Sequence, residues 1–184
     1  LGLKKITVPL TKAKKHDLPA MLKAIDSDTK MIYICNPNNP TGTICEREAL
    51  VSFINQATKK AIVFVDEAYI DFTKEKSLSD LVVENKNLII TKTFSKLYGL
   101  AGARIGYAIA HSSTIENISA LKSSPNDDVS VVSAAGAIAS LNDENFIQQV
   151  YSKNEEVKKY KIDELTRLNL KPIPSYSNFI YFPL

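Results

Sequence analysis

The alternation of short apolar, β-branched runs with helix-patterned segments is the feature that most narrows what this chain can fold into. Runs at residues 31–35, 61–65, 88–91 and 105–110 read as strands, and between the first two the apolar spacing switches to a helical period. This is the pattern of crossover units on a mostly parallel sheet. The expected fold class is therefore α/β, a mostly parallel sheet with flanking helices, followed by a long bridging helix and the start of a smaller α+β domain.

Helix signals fill the spaces between the strands. Thr43 with Glu46 three residues later forms a capping-box pattern ahead of Ala49, Leu50, Phe53, Ile54 and Ala57. Ser113 with Glu116 opens a second helix through Leu121, which Pro125-Asn126-Asp127-Asp128 breaks. The small-residue-rich stretch 129–141 reads as a buried helix. Phe146, Val150, Val157, Tyr160 or Lys161, Leu165 and Leu168 are spaced for one long helix over 143–168 with a charged outer face. Lys171-Pro172-Ile173-Pro174 then reads as a linker, so a domain change is expected in the long helix, with residues 1–145 in a large domain and 146–184 as the bridging helix and the start of a small one. Ile6-Thr7-Val8-Pro9-Leu10 and Ile180-Tyr181-Phe182-Pro183-Leu184 are strand patterns without an initiating Met or a closing tail, so the chain is expected to be a piece of a longer protein.

At 184 residues and 45% hydrophobic content the chain can bury a real core. Its 23 basic and 20 acidic residues leave a net charge of +3 with the signs interspersed, which argues against a nucleic-acid footprint and for small-molecule partners. No apolar run approaches the ~20 residues of a membrane-spanning helix, and a cytoplasmic location is expected. Cys35 and Cys45 have neither Cys-x-x-Cys spacing nor a His at ligand spacing, so reduced, packed thiols are expected and no metal site.

In open α/β sheets ligands bind beyond the carboxyl ends of the strands, so chemistry is sought in the loops that follow them. Asn36-Pro37-Asn38-Asn39-Pro40-Thr41-Gly42-Thr43 follows the first strand, and by composition alone it is a connecting turn. Asp66-Glu67-Ala68-Tyr69 puts a carboxylate at the end of the second strand, where burial is costly unless a cation answers it; a lone Asp there is more often a cap or a solvated acid. The third loop runs from Lys92 to Arg104 with two lysines, two hydroxyls and a pair of glycines, which singly would be a basic surface loop. Glycines let a backbone approach an anion, and hydroxyls and Arg donate to a phosphate. Together the loops suit a ligand with a pyridine nitrogen, a phenolic oxygen, an aldehyde and a phosphate. Pyridoxal 5′-phosphate (PLP) has all of these, with an Asp to hold the ring nitrogen protonated and a Lys to anchor the aldehyde.

Asn-Pro-Asn-Asn-Pro-Thr-Gly, Asp-Glu-Ala-Tyr, and Thr-Phe-Ser-Lys with Gly-Leu-Ala-Gly-x-Arg-x-Gly-Tyr resemble, in order and spacing, the signatures of fold-type I PLP-dependent aminotransferases, with the histidinol-phosphate aminotransferases as the nearest branch. The likeness runs over essentially the whole chain. It implies the PLP-binding large domain and assigns roles residue by residue. Asn39 and Tyr69 would bond the PLP ring oxygen, Asp66 would pair with the pyridine nitrogen, and Thr93, Ser95 and Arg104 would hold the phosphate. Lys96 rather than Lys92 matches the covalent anchor, because Arg104 lies eight residues beyond it. The implied reaction moves an amino group between L-histidinol phosphate and 2-oxoglutarate in a homodimer.

Where the family commonly shows an aromatic, Asn, Val, Ser run, this chain has Pro125-Asn126-Asp127-Asp128-Val129-Ser130. The family's ring-stacking aromatic and glycine-rich phosphate loop would precede Leu1, and its carboxylate-binding arginine would follow Leu184. An aromatic amino-acid aminotransferase or an O-phosphothreonine decarboxylase-like lyase is the alternative that keeps PLP. A non-catalytic scaffold is the alternative from another class, and the joint presence of Lys96, Asp66 and Arg104 speaks against it.

Overall fold

The computed structural model describes residues 2, 4–121 and 129–183. A four-stranded sheet in the order β1 (Met31–Cys35), β2 (Ile62–Asp66), β3 (Leu88–Thr93), β4 (Gly106–Ala110) lies at its centre. β1, β2 and β3 are parallel, and β4 is antiparallel to β3. The register pairs Cys35 with Asp66 and Asp66 with Thr91, so the ends of the parallel strands, and the loops that leave them, lie side by side.

Two-residue alternation decides which face each side chain takes. Ile32, Ile34, Val63, Val65, Leu88 and Ile90 fall on one face and pack against Leu50, Phe53, Ile54 and Ala57 of helix α2 (Arg47–Ala57), with Leu18 of α1 (Leu18–Lys23) at the margin. The opposite face carries Tyr33, Phe64, Asp66, Thr91 and Thr93 by the same parity. α1 was not foreseen, although its signal is local: Asp17 accepts from Ala20 N at 3.0 Å and a proline stands in the first turn.

Several expectations are corrected. α2 begins at Arg47 with Glu46 as an N-cap whose side chain makes no capping bond and instead accepts from Lys15 Nζ at 2.8 Å, while the Thr43 hydroxyl donates to the Lys14 carbonyl at 2.7 Å and is not free to cap. α3 (Ser112–Ser119) is capped by His111, which accepts from Ser113 N, and not by Ser113 itself. α4 (Val131–Leu141) is a helix but is not buried, since Val131 and Val132 are 85% and 83% exposed and only Ala137 is enclosed. The runs at 6–10 and 180–183 are not strands; Ile173 N donates to Tyr181 O of the second at 2.9 Å. The helix-breaking residues 125–128 lie outside the described residues.

α5 (Glu144–Arg167) matches the long helix expected, capped by Asp143, which accepts from Phe146 N at 2.9 Å. Its inward face matches the expected one only in part, at Val150. Ile147 and Val150 pack on Tyr69, Phe72 and Leu97, while Phe146, Val157, Tyr160 and Leu168 point outward. α5 therefore braces the loops at the strand ends. No helix of the described residues is long and apolar enough to cross a membrane.

Candidate active site

The loop after β1 is self-bonded. Asn36 is buried and accepts from Cys45 N at 2.8 Å, while Asn38 is buried and donates to the Thr41 hydroxyl at 2.7 Å. Gly42 donates to Asn38 O at 2.7 Å in a left-handed conformation, φ +70°, and a Cβ there would fall 2.5 Å from Ser175 Oγ. A glycine is thus required by conformation and by space. Of the three asparagines only Asn39 is turned outward, with Nδ2 donating to Tyr69 Oη at 3.0 Å.

At the end of β2 the alternation sends Asp66 to one side and Glu67 to the other. Asp66 Oδ1 accepts from Ala68 N at 3.0 Å and Oδ2 from Tyr33 Oη at 2.9 Å. No cation pairs with this carboxylate among the described residues. Glu67 is fully buried and holds the chain that follows it, accepting from Ser77 Oγ at 2.5 Å and Leu78 N at 2.8 Å; burial pushes its carboxyl up. Tyr69 is buried edge-on against Phe179, ring centroids 5.1 Å apart. Its hydroxyl receives Asn39, and among the described residues its own hydrogen has no acceptor.

Lys92 lies in β3 and Lys96 on the loop that follows it, and the geometry separates them. Lys92 lies on the core side and bonds Asp71 at 2.6 Å with both side chains largely enclosed. Burial works against the Lys92 charge, but the Asp71 carboxylate outweighs it and holds the ammonium above its usual range. Lys96 is exposed, carries no ion pair among the described residues, and has Nζ 5.2 Å from the centre of the Tyr69 ring. Thr93 Oγ1 accepts from Ser95 N at 3.1 Å, leaving its hydrogen available. Arg104, in a left-handed turn at φ +49°, donates only to Ala101 O at 3.0 Å among the described residues. Gly106 lets β4 close on β3, since a Cβ there would meet Lys92 O at 2.8 Å.

Among the described residues, an amine without an ion pair, a carboxylate, a phenol with a spare hydrogen, and hydroxyl and guanidinium donors with hydrogens to spare therefore stand at neighbouring strand ends and the loops beyond them. The class I and II aminotransferase family model matches residues 1–184. The chain belongs to that family. Histidinol-phosphate aminotransferase of Halalkalibacterium halodurans is 39% identical over 176 residues, which cover 94% of this chain and 47% of that protein. The enzyme of the same name from Moorella thermoacetica is 38% identical over 185 residues, 98% of this chain and 47% of that protein. The crystal structure of histidinol-phosphate aminotransferase from Sinorhizobium meliloti in complex with pyridoxal-5′-phosphate superposes with a TM-score of 0.88 at 30% identity, covering 95% of this chain and 48% of that one. The chain thus spans about half the length of the curated relatives it matches.

For an aminotransferase-family chain, some of what supports the strand-end loops escapes sequence reading. Tyr33 is one such residue, since nothing in its strand marks it as a partner of Asp66. Ser175 and Ser177 are others: buried, they bond to each other at 2.9 Å and wall in Gly42, which holds the segment after α5 against the Asn39 loop.

Proposed function

We propose that this chain carries the cofactor-binding part of a PLP-dependent aminotransferase that moves an amino group between L-histidinol phosphate and 2-oxoglutarate. The observation that carries the reading is the Lys96 amine, without an ion pair among the described residues, beside the Tyr69 ring, on the loop next to the one that presents Asp66. The donor set suits PLP. The spare Tyr69 hydrogen and Asn39 answer the ring's phenolic oxygen, the carboxylate of Asp66 answers the ring nitrogen, and Thr93, Ser95 and Arg104, bonded to no carboxylate among the described residues, offer donors to a phosphate. The names of the curated relatives and the PLP in the S. meliloti enzyme point the same way.

When bound, PLP supplies an electron-withdrawing ring that stabilises charge left on a carbon that loses a proton. Lys96 Nζ would hold the aldehyde and would serve as the base for the proton on the substrate α-carbon. Asp66 holds a proton on the ring nitrogen. Tyr69 and Asn39 would hold the ring oxygen. The same reading makes the full protein a cytoplasmic homodimer, with residues 1–145 in the PLP-binding large domain and α5 leading into the small one.

The test is glutamate formation by the PLP-loaded full-length protein with 2-oxoglutarate and either L-histidinol phosphate or an aromatic amino acid. Turnover with L-histidinol phosphate, well above that with L-phenylalanine, is expected. Turnover with L-phenylalanine and none with L-histidinol phosphate would assign the protein to the aromatic group instead.

A further inference from the structure

A carboxylate that serves a ring nitrogen must keep its direction and its charge, and Asp66 has a partner for this outside the motifs. Tyr33 stands within β1 directly opposite Phe64 of β2. Its ring stacks on that Phe, centroids 5.8 Å apart and planes 27° apart. Diagonal neighbours across a strand pair lie within reach of an aromatic side chain, and Tyr33 Oη accordingly donates to Asp66 Oδ2 at 2.9 Å. With Ala68 N on Oδ1 at 3.0 Å, each carboxylate oxygen has one fixed donor and keeps acceptor capacity for a cation. Burial and then the Asp66 carboxylate push the Tyr33 hydroxyl well above the usual tyrosine range, so the phenol remains a donor throughout the neutral range.

We propose that Tyr33 is a positioning residue for Asp66, aiming its carboxylate at the ring nitrogen and keeping the proton they share on the nitrogen. The inference rests on the PLP reading above. A hydrogen bond donated to a carboxylate stabilises its charge and makes it the weaker base. Of the two bases facing each other, the ring nitrogen then retains the proton, and the ring retains its pull on electrons. Because the Tyr33 hydroxyl is committed to Asp66, it acts through that residue.

In the full-length protein, Tyr33→Phe keeps the ring on Phe64 and removes only the hydroxyl. With L-histidinol phosphate and 2-oxoglutarate, kcat should fall about tenfold while KM stays within about twofold, as for loss of a hydrogen bond to a charged group that matters at the transition state. PLP should still be retained at Lys96. The cofactor-free protein gives a second readout. The ring-carbon NMR signal of Tyr33, assigned by its loss in Tyr33→Phe, should titrate above the ordinary tyrosine range and move down in Asp66→Asn. An unchanged kcat in Tyr33→Phe, or a Tyr33 titration indifferent to Asp66→Asn, overturns the proposal and leaves the PLP reading standing. Failure of the unmodified protein to take up PLP at Lys96 overturns the reading and the proposal with it.

Discussion

Asp66 receives a donor on each oxygen and, among the described residues, no cation, an arrangement that would be wasteful for a structural acid and useful for one that meets a cationic ring nitrogen. Asp66→Asn keeps the shape and removes the charge. PLP should remain bound through its other contacts, and the single-turnover rate should fall by about 10²–10³, the scale typical of a lost preorganised electrostatic partner. Rapid-mixing absorbance measures this, and an unchanged rate would contradict the role given to Asp66. At this scale the sequence located Asp66 at a strand end and Tyr69 and Lys96 on the loops just beyond, where the structure has them, because each follows its own apolar run. It was silent on Tyr33, whose partner lies diagonally across a strand pair, and on Ser175 and Ser177, whose contact with Gly42 bridges more than half the chain.

Between β2 and β3 the loops are joined by an ion pair that plays no part in the proposed chemistry. Lys92 reaches from β3 to Asp71, in the short helical turn Ile70–Phe72 that follows Tyr69, and so ties the Tyr69 loop to the strand that leads to Lys96. Folding raises the Lys92 pKa, so the folded chain holds that proton more tightly than the unfolded one. The contribution is complete below the ordinary lysine value near 10.5 and is lost as pH climbs through the raised value. Urea midpoints of the parent protein and Lys92→Met, compared from neutral pH to strongly alkaline pH, should converge in that window; a gap that stays constant would contradict the clamp. Element positions were legible because each strand carries its own apolar run and α5 its own period. Helix starts were less so, because a cap depends on what else the capping side chain can reach. Thr43 finds the Lys14 carbonyl, and His111 takes the place of Ser113. The exposure of α4 was hidden for a related reason, since its valines and alanines say apolar without saying what covers them.

Over the whole molecule, the strand-end loops leave one sheet, and the chain, matched throughout by the aminotransferase family, spans about half the length of its relatives, so the joint chemistry of those loops is tested in the full-length protein. Lys92 of β3 and Lys96 of the loop after it give that test its sharpest form. Lys96 is exposed and unpaired among the described residues beside Tyr69, whereas Lys92 is enclosed and held by Asp71, and an ammonium held in an ion pair is a poor nucleophile. The full-length protein is to be incubated with PLP, reduced with borohydride, digested, and its peptides mapped by mass spectrometry. The reduced PLP adduct should lie on Lys96, and it should be lost in Lys96→Ala and kept in Lys92→Met. An adduct on Lys92, or no lysine adduct in this loop, would contradict the central claim.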